Sequence, residues 1–415
     1  MSTTLPAHLP LPSKRFCCNT YRRRQSKVFE MRIDSIKTFL VDSGSAKHWL
    51  FVKVETDEGV HGWGEAYTQL DRDRVIKRQM DELARYLVGR SPFDIKQFLF
   101  SAYADFAGKR GSLELFCAVS GLEQALWDIV GKAAGQPVYN LLGGRTRRRL
   151  RVYANGWDGA EDPEVLAERA RAVVARGFTA LKFDPFPGRW RAYIDRSQEE
   201  EAVERVRAVR EAVGPDVDIL VEVHRRLAPL HAVRAARAME PYAPFWFEEP
   251  VSARDLDALS EVRHAIDLPV VTGEELYTKN EFREVFERRA ADILNPDVCN
   301  CGGILELREI GAMAEAYHVA MAPHNYNSTT VGLAATLHAS AGMPNFLITE
   351  YFVNFEEVGR EISRQALEVE NSFITLPETP GLGIDLDEQA LEARPFQPRP
   401  LRDLPLDSGT GSAAG

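Results

Sequence analysis

A chain of 415 residues exceeds what one ordinary core holds, so two domains are the default. Its 45% apolar and 27% charged residues suit a globular protein, and a net charge of −10 disfavours nucleic acid or an anionic membrane as partner. The five cysteines lack zinc or disulfide spacing, which suits a reduced, cytoplasmic protein, and no apolar run reaches the length of a membrane span.

Residues 1–30 contain Pro6, Pro10, Pro12, the pair Cys17 and Cys18, and the cluster Arg22, Arg23 and Arg24. Without an uninterrupted apolar stretch this is no secretory signal, and a disordered N-terminal extension is expected. Folded sequence begins near Met31. Residues 32–42 and 49–56 alternate like strands, with a turn at Asp57–Gly59 and the motif HGWGEA over 61–66. Helical spacing follows over 73–87, 92–105 and 114–134, the last stopping at Gly135. These elements predict an α+β domain over 31–150.

From Leu150 the pattern changes. Short apolar stretches at 150–154, 179–184, 218–223, 244–248, 269–273, 292–296, 319–323 and 346–350 alternate with Ala- and Arg-rich helical segments. That alternation predicts a parallel sheet covered by helices, an α/β barrel over 151–365. Residues 366–400 are expected to return to the first domain, and 401–415 to form a flexible tail.

Acidic residues close successive stretches at near-equal spacing. Glu222, Glu248 and Glu274 are 26 residues apart, and Asp297, His324 and Glu350 follow at intervals of 23, 27 and 26. One strand, one helix and two short loops fill such an interval, so each residue is placed at the C-terminal end of a barrel strand. Singly, such a carboxylate is as readily a helix cap or an ion-pair partner. Three in register form a hard, oxygen-only ligand set that suits Mg²⁺.

Lys182 and Asp184 alternate in LKFDPF, which points both into the barrel mouth. Lys182 can neutralise a substrate carboxylate, while Asp184 either orients Lys182, meets a substrate hydroxyl or caps a strand end. His224 follows Glu222 by two residues and shares its inward direction if the strand persists, which suits a proton donor. Asp297 beside His324 makes an oriented base. Glu350 is placed to meet a substrate hydroxyl or enolate. Arg225, Trp157, Tyr326 and, from the first domain, His48 are candidate substrate contacts, each with a packed or surface role as the alternative.

GWGEA, LKFDPF, VEVH, FWFEEP, VTGEE, LNPDVCNCGG, APHN and the final TE, taken together over 31–400, resemble the enolase superfamily and, within it, the mandelate racemase subgroup. The resemblance implies a modified (β/α)7β TIM barrel with an N-terminal α+β capping domain. It also implies Mg²⁺ on Glu222, Glu248 and Glu274, and abstraction of a proton α to a carboxylate. The chain is most similar to the acid-sugar dehydratases such as gluconate and galactonate dehydratases. That similarity makes His224 the general acid, Asp297 and His324 the base, and Glu350 the strand-eight carboxylate, in a homo-oligomer (dimer or octamer) with a small sugar-acid substrate.

Two departures stand out. Glu222 replaces the Asp of many relatives, and Asp184 stands where racemases carry a catalytic Lys. The stretch VEVHRRLAPLHAVR also resembles mannonate dehydratases. Mannonate dehydration, epimerisation or racemisation of a related carboxylate, and binding of a sugar acid without catalysis are therefore the alternative expectations.

Overall fold

The alternation in the first domain becomes a three-stranded antiparallel sheet of β1 (Ile33–Asp42), β2 (His48–Thr56) and β3 (His61–Ala66). Helices α1 (Asp73–Ala84), α2 (Ile95–Leu99), α3 (Leu113–Ala134) and α4 (Val138–Leu141) follow. A π-helical turn over Phe100–Asp105 completes the stretch expected as helix over 92–105. The motif HGWGEA has a packing reason. Gly62 and Gly64 share one face of β3, and a Cβ on Gly64 would lie 1.8 Å from the Gly121 carbonyl oxygen, so glycine lets sheet and α3 close upon each other. The computed structural model describes residues 30–45, 47–105, 111–160, 162–187 and 192–400. The expected N-terminal extension, save Glu30, and the expected tail lie outside the described residues.

The second pattern becomes a ring of eight strands. These are β4 (Arg149–Asn155), β5 (Ala180–Phe183), β6 (Asp218–Glu222), β7 (Trp246–Glu248), β8 (Val270–Thr272), β9 (Ile293–Leu294), β10 (Ala320–Met321) and β11 (Thr349–Phe352). Neighbours pair in parallel from β4 through β10, and β11 pairs with β4. A parallel bridge between Met321 and Phe346 joins β10 to the segment entering β11. Most strands are shorter than the apolar stretches that announce them, and the last begins three residues later than expected, at Thr349 rather than 346.

Seven helices alternate with the eight strands, giving the (β/α)7β order: α5 (Pro163–Ala175), α6 (Arg196–Val213), α7 (Pro229–Met239), α8 (Leu256–Ala265), α9 (Thr278–Arg288), α10 (Ile304–Ala316) and α11 (Val331–Ser340). The barrel interior is a compact apolar cluster of Tyr153, Ala180, Leu220, Trp246, Val271, Ile293, Ala322 and Ile348, one residue from each strand position. A separate core lies between strands and helices, and the first domain has its own. The inward-facing layer matters for what stands above it, because strand side chains repeat every second residue.

The chain beyond β11 packs first on the barrel and then reaches the first domain. A hairpin of β12 (Val369–Glu370) and β13 (Phe373–Thr375) pairs with the start of β4. Asp385 accepts from the Trp63 indole, the Leu382 N–H donates to Asp128 Oδ1 at 2.8 Å, and Val41 bridges Pro395. Two buried carboxylates of the first domain lock it to the barrel. Glu123 accepts the N–H groups of Ile304 and Leu305 at the start of α10 (2.7 and 2.9 Å), and Glu65 accepts that of Gly332 at the start of α11 (2.7 Å). Each satisfies orphan donors at a helix N-terminus and meets its positive end.

Candidate active site at the barrel mouth

Counting two residues up from the interior layer reaches the polar residues of the mouth. Tyr153 leads to Asn155, Ala180 to Lys182, Leu220 to Glu222, Trp246 to Glu248, Ile293 to Asn295, Ala322 to His324 and Ile348 to Glu350. On β8 the count is three, from Val271 to Glu274. Gly273 intervenes at φ 141°, a conformation glycine adopts freely, and it swings Glu274 back to the mouth.

Glu222, Glu248 and Glu274 each offer an oxygen within 4.8 Å of the others, and all three are buried. Glu222 Oε2 and Glu248 Oε2 have no hydrogen-bond partner. Buried carboxylate oxygens without a hydrogen bond carry a desolvation cost that a cation relieves, and an all-oxygen set fits Mg²⁺. The residues present therefore fit the metal. Among the described residues no other group of three such ligands comes together.

Lys182 reaches into the same space. Its Nζ lies 2.9 Å from Glu248, 2.8 Å from Glu350 and 3.4 Å from Glu222. Burial works against its charge, yet Glu248 and Glu350 hold it well above the usual lysine range. Glu350 in turn is held low against burial by Lys182 and accepts from Asn155 Nδ2 at 2.7 Å. Asn295 donates to Glu248 at 2.9 Å.

His324 Nδ1 lies 2.7 Å from Asp297 Oδ2, and its Nε2 lies 3.2 Å from Glu274 and 3.4 Å from Glu350. Asp297 is held in turn by the N–H of Cys299. Burial depresses the His324 imidazole, but Glu350, Glu274 and Asp297 outweigh it and push it up to about 9. The carboxylates responsible include one that a dication would neutralise.

β6 stops at Glu222, so the strand alternation offered for His224 does not hold. His224 and Arg225 take left-handed backbone angles (φ 52° and 54°). His224 is instead placed by two contacts: its N–H donates to Glu222 Oε1 at 2.6 Å, and its Nδ1 lies 2.8 Å from Asp184 Oδ2. Arg226 also donates to Asp184. Asp184 thus pairs with His224 rather than with Lys182. β6 and β10 are four apart in the ring of eight, which puts His224 and His324 on opposite sides of the mouth.

Arg225 turns inward, donates to Glu274 and lies 3.4 Å from Glu275, so its charge is largely met by protein carboxylates. Tyr326 stacks on His324 (5.9 Å, 8°) and on Tyr67 of the first domain (5.3 Å). Two of the expected contacts, Trp157 and His48, are occupied with protein partners. Trp157 spends its indole N–H on the Lys182 carbonyl (2.9 Å) and packs on Phe183, supporting β5 from behind. His48 is 1% exposed, 2.9 Å from the Gln397 carbonyl and packed on Phe396 inside the first domain. Lys47, the last loop residue before β2, is the one that faces the mouth, its Nζ 3.4 Å above the Tyr326 ring. Lys47, Asn155 and Asn295 escaped the sequence reading. For the two asparagines the period-2 count from the inward layer was the available signal.

An open cavity of about 980 Å³ lies between the two domains and reaches Tyr67, Arg225 and Glu274. A small α+β domain docked over the C-terminal mouth of a (β/α)7β barrel is the architecture of the enolase superfamily. Residues 165–390 match the enolase C-terminal domain-like model, and residues 30–143 match the N-terminal domain of mandelate racemase and muconate lactonizing enzyme. The chain is 35% identical to a D-gluconate dehydratase of Thermoproteus tenax over 86% of its length and 72% of the relative's. It is 37% identical to a D-galactonate dehydratase of Ralstonia nicotianae over 82% of its length and 89% of the relative's. A solved structure described as a mandelate racemase/muconate lactonizing enzyme from Sulfitobacter superposes with a TM-score of 0.84 at 34% identity, covering 91% of this chain and all of that one. The chain belongs to the mandelate racemase/muconate lactonizing enzyme family.

Proposed function

We propose that the protein is a Mg²⁺-dependent acid-sugar dehydratase, converting an aldonate, D-gluconate or D-galactonate, to the 2-keto-3-deoxy acid. The observation that carries this reading is the pair of carboxylate-oriented imidazoles on opposite sides of one acidic triad. A base and an acid so disposed suit removal of a proton from one carbon and of hydroxide from the next. The relatives named gluconate and galactonate dehydratases support the same class.

Mg²⁺ on Glu222, Glu248 and Glu274 would supply Lewis-acid stabilisation of charge growing on the substrate carboxylate. Lys182 adds a buried cation beside that carboxylate. His324, oriented by Asp297, takes the C2 proton. His224, held by Asp184, gives a proton to the departing 3-hydroxyl, which leaves as water, and the enol tautomerises to the 2-keto acid. Glu350 keeps Lys182 in place and lies within reach of a substrate hydroxyl, and Tyr326 walls the His324 side. Asp184 is tied to His224 and Arg226 and does not supply a second base opposite His324, which counts against racemisation. A cytoplasmic homo-oligomer completes the reading. Among the described residues no helix is long and apolar enough to cross a membrane.

The test is a screen of gluconate, galactonate, mannonate, arabinonate and xylonate with Mg²⁺, scored for 2-keto-3-deoxy product. Turnover of one acid, lost on chelation and reduced by about 10²–10⁴ in His324→Asn, is expected. Silence across the panel, or deuterium entering C2 without loss of water, would sink it. Turnover of mannonate alone would reassign the substrate.

A further inference from the structure

Lys47 ends the loop between β1 and β2, and the loop is built rather than open. Ser43 Oγ donates to the Lys47 carbonyl, Thr68 Oγ1 to that of His48, and Gly44 N–H to Asp42 Oδ1 at 2.9 Å. The Lys47 side chain leaves this loop toward the barrel residue Tyr326. Its Nζ lies 3.4 Å from the Tyr326 ring centroid and 5.3 Å from that of Tyr67. Those rings stack on each other, and Tyr326 lies nearly parallel to the His324 imidazole. The lysine therefore caps the His324 wall of the mouth. Among the described residues no carboxylate lies within 4.0 Å of its ammonium and no acceptor lies at hydrogen-bonding geometry; the aromatic faces of Tyr326 and Tyr67 meet it. Burial pushes the ammonium down to about 7, against the pull of Glu274 and Asp73. It is a donor group placed at a reactive site with its donors unspent.

We propose that Lys47 is a specificity-determining residue whose ammonium donates to substrate oxygens on the carbons farthest from the carboxylate end. This rests on the dehydratase reading for the orientation of the substrate. Lys182 and the acidic triad stand on the strand ends and claim the carboxylate end, so the rest of the substrate chain rises toward the first domain, where Lys47 lies. An ammonium has three donors on one compact atom and can serve two adjacent hydroxyls. Tyr326 holds the cation without satisfying those donors.

Calorimetric Kd values for gluconate and galactonate, C4 epimers, in Mg²⁺-loaded wild type, Lys47→Met and Lys47→Arg test this, with kcat and KM alongside. A charge-assisted contact predicts a rise of about tenfold or more in Kd and KM for the preferred acid in Lys47→Met. A binding contact leaves kcat within about threefold. The preference between the epimers should shrink in the same variant, and Lys47→Arg should recover part of it. An unchanged Kd and preference in a folded Lys47→Met, or a loss confined to kcat, overturns the proposal. Should the wild type bind an acid without dehydrating it, the dehydratase reading fails while the Kd comparison still decides the role of Lys47. Should it bind no acid, both fall.

Discussion

His224 and His324 each rest on an aspartate, but the two pairs are built differently. Asp297 and His324 are joined by a parallel bridge between neighbouring strand ends, and the pair is almost wholly buried. Asp184 and His224 come from loops beyond β5 and β6, and the His224 side chain is 36% exposed. A base that must act on a carbon acid benefits from the drier site, while an acid that releases water benefits from nearness to it. Asp184→Asn removes the charge that holds His224 and should lower kcat about 10–100-fold with little change in KM, as for outer partners of catalytic groups. Steady-state kinetics on the preferred acid checks this. An unchanged kcat would mean that His224 is not oriented through Asp184.

At the scale of elements, the two domains are joined by buried polar groups as well as by apolar packing. Glu65 and Glu123 cap α11 and α10, the helices that follow the strands of His324 and Asp297. His338 on α11 makes a third tie. Its Nδ1 accepts the Tyr139 N–H at 3.2 Å and its Nε2 donates to the Leu382 carbonyl at 3.0 Å, an arrangement only the neutral ring satisfies. Burial pushes this imidazole down to about 4. A histidine depressed on folding adds stability in full above its unfolded pKa of about 6.5, and that stability is lost as pH falls toward 4. The contribution is up to about 3 kcal/mol. Thermal melts across this range should therefore show a shallower acid limb in His338→Gln than in wild type. Parallel limbs in the two proteins would refute the assignment.

For the whole molecule, a metal held by the acidic triad would couple folding to binding. Without a cation the three carboxylates repel one another, and a dication that binds only the folded state stabilises it. Mg²⁺ at about a hundredfold over its Kd should add ~2.7 kcal/mol, read as a rise in Tm that a chelator reverses. Glu222→Gln should abolish that rise without lowering the Tm of the metal-free protein, because it relieves repulsion while keeping the packing. A Tm indifferent to divalent cations would remove the metal from the site.

Much of this was legible along the chain, for a periodic reason. Strand and helix alternate at a fixed interval, so Glu222, Glu248, Glu274, Asp297, His324 and Glu350 announce themselves as strand ends, and the inward residue of each strand sets what stands above it. Periodicity stops where strands do. His224 lies past the end of β6 on left-handed backbone, and its place depends on Asp184, a residue forty positions away that only folding brings near. His48 and Lys47 could not be told apart by composition, because which neighbour faces the barrel depends on how the first domain docks. That docking rests on contacts between distant segments, such as Glu123 with Ile304 and Glu65 with Gly332, and no local pattern encodes them. The repeat of the chain set the ring of chemical groups; the long-range packing of cap on barrel decided which of them a substrate meets.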